Sequence, residues 1–174
     1  MIQKCSIWIV LREFLENPSG KMHIRTISKK INLAPTSVKL HIKTLIKENL
    51  IIEKDDEIFK YYAANFDSEK FRFYKKINFL INIQESGLKE HLDNELSPDA
   101  IILFGSAAKG EDLQSGDIDI FVQAKEKSIN LEKYEKKLNK RIQLFFAEDI
   151  GKLPKELRNN ILNGTKLEGY IKVF

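Results

Sequence analysis

The spacing of apolar residues over the first 50 positions predicts three helices. The first helix is expected to stop at Asn17-Pro18, and a short second helix is expected over 27–31, with Thr26 as its capping residue. Pro35 suits the first turn of a third helix, and Asn49 can take the left-handed conformation that ends it. The apolar stripes behind these predictions are Ile7, Val10, Leu11, Phe14 and Leu15 in the first helix and Val38, Ile42, Leu45 and Ile46 in the third.

A β-hairpin and then a long helical stretch are predicted to follow. Residues 50–52 and 58–64 favour strands, and the polar run 54–57 between them favours a turn. Apolar residues keep a helical period over 68–97, with a break at Ser86-Gly87. We expect this stretch to connect the two ends of the protein.

The last part of the chain alternates between strand and helix patterns. Residues 100–104 form a continuous apolar run typical of a buried strand, and Gly105-Ser106 opens a helix directly after it. The last ten residues are expected to form a short strand pair. The other predicted elements are strands over 118–122 and 142–146 and helices over 131–138 and 155–162. The helix over 131–138 and the residues just after it carry four lysines, which we interpret as a solvated face: Lys133, Lys136, Lys137 and Lys140.

Composition and charge narrow the class of protein. Hydrophobic residues make up 43% and charged residues 31% of the chain, which is enough apolar material for a core and excludes a disordered protein. No apolar run approaches the roughly 20 residues that span a bilayer, so we expect no membrane segment. A single cysteine, Cys5, excludes an internal disulfide and favours a reducing, cytoplasmic location. Of the net charge of +4, a surplus of +3 lies in residues 1–67, which fits an anionic partner such as nucleic acid.

Lysines recur at regular spacing on the third predicted helix. Lys39, Lys43 and Lys47 are four residues apart and share one face, so they can contact phosphates. Thr36 and Ser37, at the N-terminal end of the helix, can reach base edges or the DNA backbone. The plainer alternative is a solvated helix face or a surface for another protein.

This N-terminal pattern resembles the winged helix-turn-helix family over about residues 5–65. The matching residues are Thr26-Ile27-Ser28, the turn Asn32-Leu33-Ala34, the helix that starts at Pro35 and Asn49-Leu50-Ile51 before the wing. The resemblance implies that the third helix enters the DNA major groove, and that the protein is a homodimer if it reads a two-fold site. The acidic residues Asp55, Asp56 and Glu57 argue against a wing that grips phosphates.

The most specific pattern in the chain is Gly105-Ser106, ten residues, then Asp117-Ile118-Asp119. Alternate residues on a strand point the same way, so the two aspartates project together. Two adjacent carboxylates repel each other unless a cation joins them, and hard oxygen ligands favour Mg²⁺, which in turn takes up a triphosphate. Gly105 lets the backbone come close to a phosphate, and the helix start at Ser106 offers free N–H groups.

This pattern resembles the nucleotidyltransferase superfamily that includes DNA polymerase beta, in its minimal form, over about residues 88–174. The resemblance implies transfer of a nucleoside monophosphate from an NTP, expected to be ATP, with pyrophosphate leaving. Asp117 and Asp119 would hold Mg²⁺ (or Mn²⁺) and act as the catalytic acids. The nucleotide would be bound by Gly105, Ser106, Lys109, Gly110 and Ser115.

One residue departs from the family pattern. The third acid of the family stands on the next strand, and the matching position here is Gln143. A glutamine oxygen can touch Mg²⁺ but carries no charge and cannot accept a proton. The pattern therefore supports nucleotide and Mg²⁺ binding better than fast transfer, and Glu148 and Asp149 are weak substitutes because they follow the strand.

Together these patterns predict an α+β protein in three parts. Residues 1–66 are expected to form a winged helix domain, 67–97 a helical connector and 98–174 a minimal nucleotidyltransferase domain with a small mixed sheet flanked by helices.

Three functions stay open on the sequence. The first is an Mg²⁺-dependent nucleotidyltransferase that modifies a macromolecule, as the antitoxin-type partner of a small helical protein. The second is a DNA-binding transcriptional regulator whose nucleotidyltransferase domain is a nucleotide sensor or a relic. The third is a non-catalytic interaction module.

Overall fold

The chain folds into two compact units, Met1–Asn78 and Phe79–Phe174. A computed structural model describes residues 4–55, 60–112 and 116–171. The predicted three-part division, 1–66, 67–97 and 98–174, remains a prediction.

Three helices and a hairpin make up most of the first unit, in the order that the apolar spacing predicts. The helices are α1 (Ser6–Glu16), α2 (Ile24–Ile31) and α3 (Pro35–Lys47), and the antiparallel strands are β1 (Ile51–Asp55) and β2 (Lys60–Ala64). Phe14, Val38 and Ile42 are buried in its core. Asn32 and Asn49 have φ values of 51° and 58°, the left-handed conformation that lets a chain leave a helix sharply.

The start of α2 differs from the sequence-based expectation. The helix begins at Ile24, and Thr26 lies inside its first turn, so the prediction that Thr26 caps it is wrong. Met22 pairs with Tyr62 through two backbone hydrogen bonds, of 2.9 and 2.8 Å, which hold the chain extended up to His23. The carbonyl of His23 then accepts the first helical bond from the N–H of Ile27.

The first strand of the hairpin extends further along the chain than the polar run suggests. Lys54 and Asp55 belong to β1 and pair with β2, so they are not turn residues. The rest of the predicted turn and the first residues of the predicted second strand, 56–59, lie outside the described residues.

Two helices follow, α4 (Glu69–Ser86) and α5 (Leu88–Leu96), and the predicted break between them is confirmed. Gly87 has a φ of 79° and separates them. The hydroxyl of Ser86 donates to the carbonyl of Ile83 and accepts from the N–H of Leu88, so it satisfies backbone groups of both helices. The boundary between the two units falls within α4.

The second unit is built on a mixed sheet, as predicted, and this sheet has four strands. Its strands are β3 (Ala100–Phe104), β4 (Ile118–Val122), β5 (Ile142–Phe146) and β6 (Thr165–Gly169), in the order β5-β4-β3-β6. The β4–β5 pair is parallel, and the other two pairs are antiparallel. The remaining elements are α6 (Gly105–Lys109), α7 (Glu132–Leu138), a 3-10 turn (Ile150–Lys152) and α8 (Lys155–Leu162).

Both faces of this sheet are covered. Ile101 and Leu103 of β3 belong to one apolar cluster, with residues of α4 and α5, while Ile102 and Phe104 belong to a second cluster with Ile161 of α8. Alternation along a strand sends successive side chains to opposite faces, which explains why β3 is buried along its whole length.

The C-terminal segment differs from the expected strand pair. Within its described part it forms a single strand, β6, which pairs with β3. A strand edge exposes unpaired backbone groups, and β6 satisfies those of β3 on the side away from β4. No helix in the described ranges is long and apolar enough to cross a membrane.

Candidate active site

The turn from β3 into α6 brings backbone and carboxylate into close approach. Gly105 has a φ of 73°, which residues with a Cβ rarely adopt. A Cβ built on Gly105 would also overlap the Oδ2 atom of Asp119. An alanine at this position would therefore strain the backbone and would also push the Asp119 carboxylate aside.

Asp119 lies between β3 and β5 in the sheet. It stands opposite Phe104 in the antiparallel pair and beside Gln143 in the parallel pair. Paired residues of neighbouring strands point to the same face, so Asp119 and Gln143 project together. The structure thus brings together Gly105, Asp119 and Gln143, three of the positions that the sequence singles out.

The two aspartates differ in their surroundings. Asp119 is half-buried, whereas Asp117, two residues earlier, is exposed. Burial, and then the charge of Asp117, raise the pKa of Asp119 above its usual range. Because the ionised pair is disfavoured in this way, a cation bound between the carboxylates would stabilise it.

The helix α6 places its polar residues outward. Ser106 and Lys109 are exposed, while Ala107 and Ala108 are buried against the sheet. Gly110, with a φ of 73°, ends the helix, and the N–H of Glu111 donates to the carbonyl of Ser106 at 3.0 Å. Ser115, which the resemblance assigns to the nucleotide, lies outside the described residues.

The donor set fits one Mg²⁺ ion. Asp117 and Asp119 would supply carboxylate oxygens and Gln143 an amide oxygen, and Mg²⁺ commonly takes one or two carboxylates together with substrate phosphates. No cluster of three or more histidine, cysteine or acidic residues suited to a metal occurs in the part of the chain that the structure describes. Asp149 follows β5 and caps the 3-10 turn, where its Oδ1 accepts a 2.8 Å bond from the N–H of Gly151.

An ion pair beside the site was missed by sequence reasoning. Lys140 pairs with the buried Asp112 at 3.1 Å and donates to the carbonyl of Gly116 at 3.2 Å. The interpretation of Lys140 as part of a solvated face is wrong, because Asn139 takes a left-handed conformation that ends α7 and turns the chain. Lys137 likewise donates to the carbonyls of Glu85 and Ser86. The Asn at 139 is the signal that could have separated Lys140 from the helix face.

A cavity of about 530 Å³ borders Asp117. Arg141, which sequence reasoning also missed, lines it together with Gly116, Glu135, Lys136 and Lys140.

The residues predicted to contact DNA lie in the first unit. Thr36, Lys39, Lys43 and Lys47 are exposed on α3, and Ser37 is half-buried. None of the three lysines has a side-chain hydrogen bond or ion pair within the described ranges. Their roles, like those of the second-unit residues, remain predictions.

Residues 86–167 match a protein-family model described as Polymerase beta, Nucleotidyltransferase. The matched segment contains Gly105, Asp117, Asp119 and Gln143, and it supports the polymerase beta-like nucleotidyltransferase superfamily for this part of the chain. The match points towards nucleotidyltransferase-like activity and a nucleotide substrate, and nucleotidyltransferases of this type generally use divalent metal ions. Neither the curated proteins nor the solved structures contain a match to the chain.

Proposed function

We propose that the unit Phe79–Phe174 binds a nucleoside triphosphate, ATP in the first instance, with one Mg²⁺ or Mn²⁺ ion and transfers its nucleoside monophosphate to a macromolecular acceptor. The observation that carries the proposal is the close approach of Gly105 to Asp119, with Gln143 on the other side of that carboxylate. In this proposal Asp117 and Asp119 hold the ion. The triphosphate is bound by Gly105, Ser106, Lys109, Gly110 and Ser115.

The reaction joins an acceptor hydroxyl oxygen to the α-phosphorus of the nucleotide and breaks the bond from that phosphorus to the bridging oxygen of pyrophosphate. The hydroxyl proton passes to bulk water, because Gln143 cannot take it: an amide is not a base at neutral pH. The ion supplies charge neutralisation on the phosphates. Asp119 orients the ion, and we expect transfer to be slow because the position beside it is uncharged.

The acceptor in this proposal is a macromolecule brought by a partner. The described part of the second unit is small and contains one four-stranded sheet. A small helical protein in an antitoxin-type pair is the partner that the family resemblance favours. It would be sought among proteins co-purified with the chain, and the macromolecules that it carries would be tested as acceptors.

The proposal is tested by calorimetry with each NTP and Mg²⁺. We expect Mg-ATP to bind the wild type, and the double variant Asp117→Asn/Asp119→Asn to bind more than about tenfold more weakly, since a charged contact contributes at least about 1.4 kcal/mol. Pyrophosphate release would then be measured with and without the candidate partner. Gln143→Asp is expected to raise that rate, because it restores a carboxylate beside Asp119.

Two results would contradict the proposal. One is equal Mg-ATP affinity in the wild type and the double variant. The other is an absence of pyrophosphate release from any NTP, with Mg²⁺ or Mn²⁺, by wild type and Gln143→Asp alike. A matched control is Glu126→Gln, which removes an exposed carboxylate from the loop after β4 and should leave nucleotide binding unchanged.

The second candidate function is DNA binding by the first unit, as in a transcriptional regulator. The observation in its favour is the row of exposed lysines on α3, Lys39, Lys43 and Lys47, which have no side-chain hydrogen bond or ion pair with any residue described. Helix order and the hairpin after α3 agree with the winged helix resemblance.

This candidate is tested with a labelled DNA duplex of random sequence, about 30 base pairs long. Binding is measured at salt concentrations from about 50 to about 200 mM. Replacing the three α3 lysines by alanine should reduce the slope of log K against log salt by about 2.7, or roughly 0.9 per phosphate contact. The control removes three exposed lysines from the second unit, Lys152, Lys155 and Lys166. Equal slopes for the two triple variants would exclude α3 as the DNA-binding surface.

A further inference from the structure

The cavity beside Asp117 has a cationic wall that the proposed nucleotide site does not use. Lys136 and Arg141 both line it. Lys136 lies 3.7 Å from Glu132 in a pair whose side chains are 81% and 74% exposed, so this contact is weak. Arg141 is exposed and has no side-chain hydrogen bond or ion pair with any residue that the structure describes.

The other charges around this cavity are already engaged. Lys140 is held by Asp112 and by the carbonyl of Gly116. The carboxylate of Glu135 accepts a 2.9 Å hydrogen bond from the N–H of Ile142. Arg141 is therefore the cation of this cavity with the greatest freedom to bind a ligand, and its planar guanidinium suits bidentate recognition of a phosphate.

The strand register places Arg141 on the same face as the proposed metal ligands. Asp119 pairs with Gln143 in the parallel ladder, and Ile118 pairs with Ile142. Continuing the register by one residue brings Asp117 level with Arg141, and the N–H of Ile118 donates to the carbonyl of Arg141 at 2.8 Å. Since alternate residues share a face, Arg141 and Gln143 lie beside Asp117 and Asp119 on one side of the sheet.

The sheet order separates two sides of the site. Gly105 and Ser106 follow β3, on one side of Asp119, and Gln143 and Arg141 lie on β5, on the other side. A nucleotide on the β3 side leaves the β5 side for the attacking acceptor, because the attacking and leaving oxygens of a phosphoryl transfer lie in line.

We propose that the cavity is the acceptor site and that Arg141, with Lys136, binds a phosphate group of the acceptor next to the attacking hydroxyl. This inference rests on the proposed nucleotidyltransferase function and assigns the chemistry of its acceptor. Arg141 is a substrate-binding residue in this arrangement. It contacts neither the nucleotide nor the ion.

The test uses glycerol 3-phosphate as probe, titrated into the full chain at constant ionic strength and followed by NMR of the backbone amide signals of Asp117, Ile118 and Ile142, which wild type and variants share. Titrations are made with and without the Mg²⁺ complex of α,β-methylene-ATP. We expect Arg141→Ala to weaken probe binding about tenfold, the loss of one charged hydrogen-bonded contact. Arg141→Lys should be intermediate, because it keeps the charge and loses the planar fork. Free inorganic phosphate, titrated in parallel, separates recognition of the ester from recognition of the ion.

The matched control is Lys166→Ala, which removes an exposed cation from β6 at the opposite edge of the sheet. It should leave probe binding unchanged, and glycerol should not bind. The Arg141 side chain is exposed, and the hydrogen bond between Arg141 and Ile118 is made by backbone atoms. The alanine variant is therefore expected to fold.

Each remaining outcome decides the proposal. Equal probe affinity in wild type and Arg141→Ala, or equal losses in Arg141→Ala and Lys166→Ala, would overturn it. Displacement of the probe by the Mg-nucleotide would overturn the acceptor assignment and make Arg141 a nucleotide-binding residue. If the Mg-nucleotide does not bind at all, the proposed function and the acceptor assignment fall. Loss of probe binding in Arg141→Ala would then still identify a phosphate site.

Discussion

At the scale of single residues, glycine at 105 is the most constrained position of the candidate site. Gly105→Ala would place a Cβ against Asp119 in addition to the strain of a positive φ. Gly87 has a similar φ of 79°, but a Cβ there would meet nothing within 4 Å. A comparison of alanine variants at the two glycines therefore separates the cost of backbone strain from the cost of crowding.

We expect Gly87→Ala to lower the free energy of unfolding by about 1 to 2 kcal/mol, the cost of a left-handed conformation for an ordinary residue. Gly105→Ala should cost more than that and should also weaken Mg-ATP binding more than about tenfold, because the alanine displaces Asp119. Urea unfolding and calorimetry measure the two effects. Identical losses of stability, with nucleotide binding intact in both variants, would show that the close approach is not required.

Asp119 carries a prediction about pH. Its pKa is raised in the folded state, first by burial and then by Asp117, so the folded protein holds this proton more tightly than the unfolded chain. Stability from this group is present at low pH and is lost as pH rises from the unfolded pKa through the raised folded pKa.

At about pH 7 and without divalent ions, Asp119→Asn should therefore unfold at a higher Tm than the wild type. This difference in Tm should shrink towards about pH 4, where carboxylates become protonated. Added Mg²⁺ should reduce the difference by stabilising the wild type. Thermal unfolding at several pH values measures this, with Glu126→Gln as the control. A lower Tm for Asp119→Asn at neutral pH would contradict the assigned electrostatics.

Two predictions made for single residues, those for Thr26 and Lys140, were wrong. Thr26 has the chemistry of a capping residue, but the Met22–Tyr62 bridge holds the chain extended to His23 and the helix starts at Ile24. Lys140 follows a helix rich in lysine, but the turn at Asn139 sends it inward to Asp112. In both cases a partner distant in sequence decided the outcome.

At the scale of elements, the buried pair Lys140–Asp112 joins the segment after α6 to the segment between α7 and β5. The two side chains are 10% and 2% exposed. Removing one member of such a pair leaves an uncompensated charge in a poorly solvated place. The bond from Lys140 to the carbonyl of Gly116 also anchors the backbone one residue before Asp117.

We expect Asp112→Asn to lower the free energy of unfolding by about 3 kcal/mol. It should also weaken Mg-ATP binding, since the anchor next to Asp117 is disturbed. The control is Glu132→Gln, which removes the exposed partner of Lys136 and should cost less than about 0.5 kcal/mol. Similar stabilities of the two variants in urea unfolding would contradict a structural role for the pair.

Strands and helices of both units were predictable because their signals are local. Apolar periodicity located α1, α3 and α4, and the continuous run of β3 marked a buried strand. Pairing of β6 with β3 was not predictable, because it joins residues more than 60 positions apart and depends on which strand edge is left open.

At the scale of the whole molecule, the two proposed ligands belong to different units. Mg-ATP at about 100 times its Kd should add about 2.7 kcal/mol to the stability of the unit that binds it. Hydrogen exchange should therefore slow within Phe79–Phe174 on addition of Mg-ATP, most strongly in β3 and β4. The double variant Asp117→Asn/Asp119→Asn should show no such slowing, and protection restricted to Met1–Asn78 would place the nucleotide elsewhere.

The sequence by itself determined most of the helices and strands, the Gly105-Ser106 and Asp117-Ile118-Asp119 pattern and the absence of an acid at Gln143, because each of these depends on residue type and on neighbours a few positions away. Tertiary structure alone decided that Asp119 lies against Gly105, that Gln143 stands beside it, and that Arg141 and Lys140 lie next to Asp117. Those relations arise from strand order and register, and both are set by burial of apolar faces across the whole unit, which no local pattern encodes.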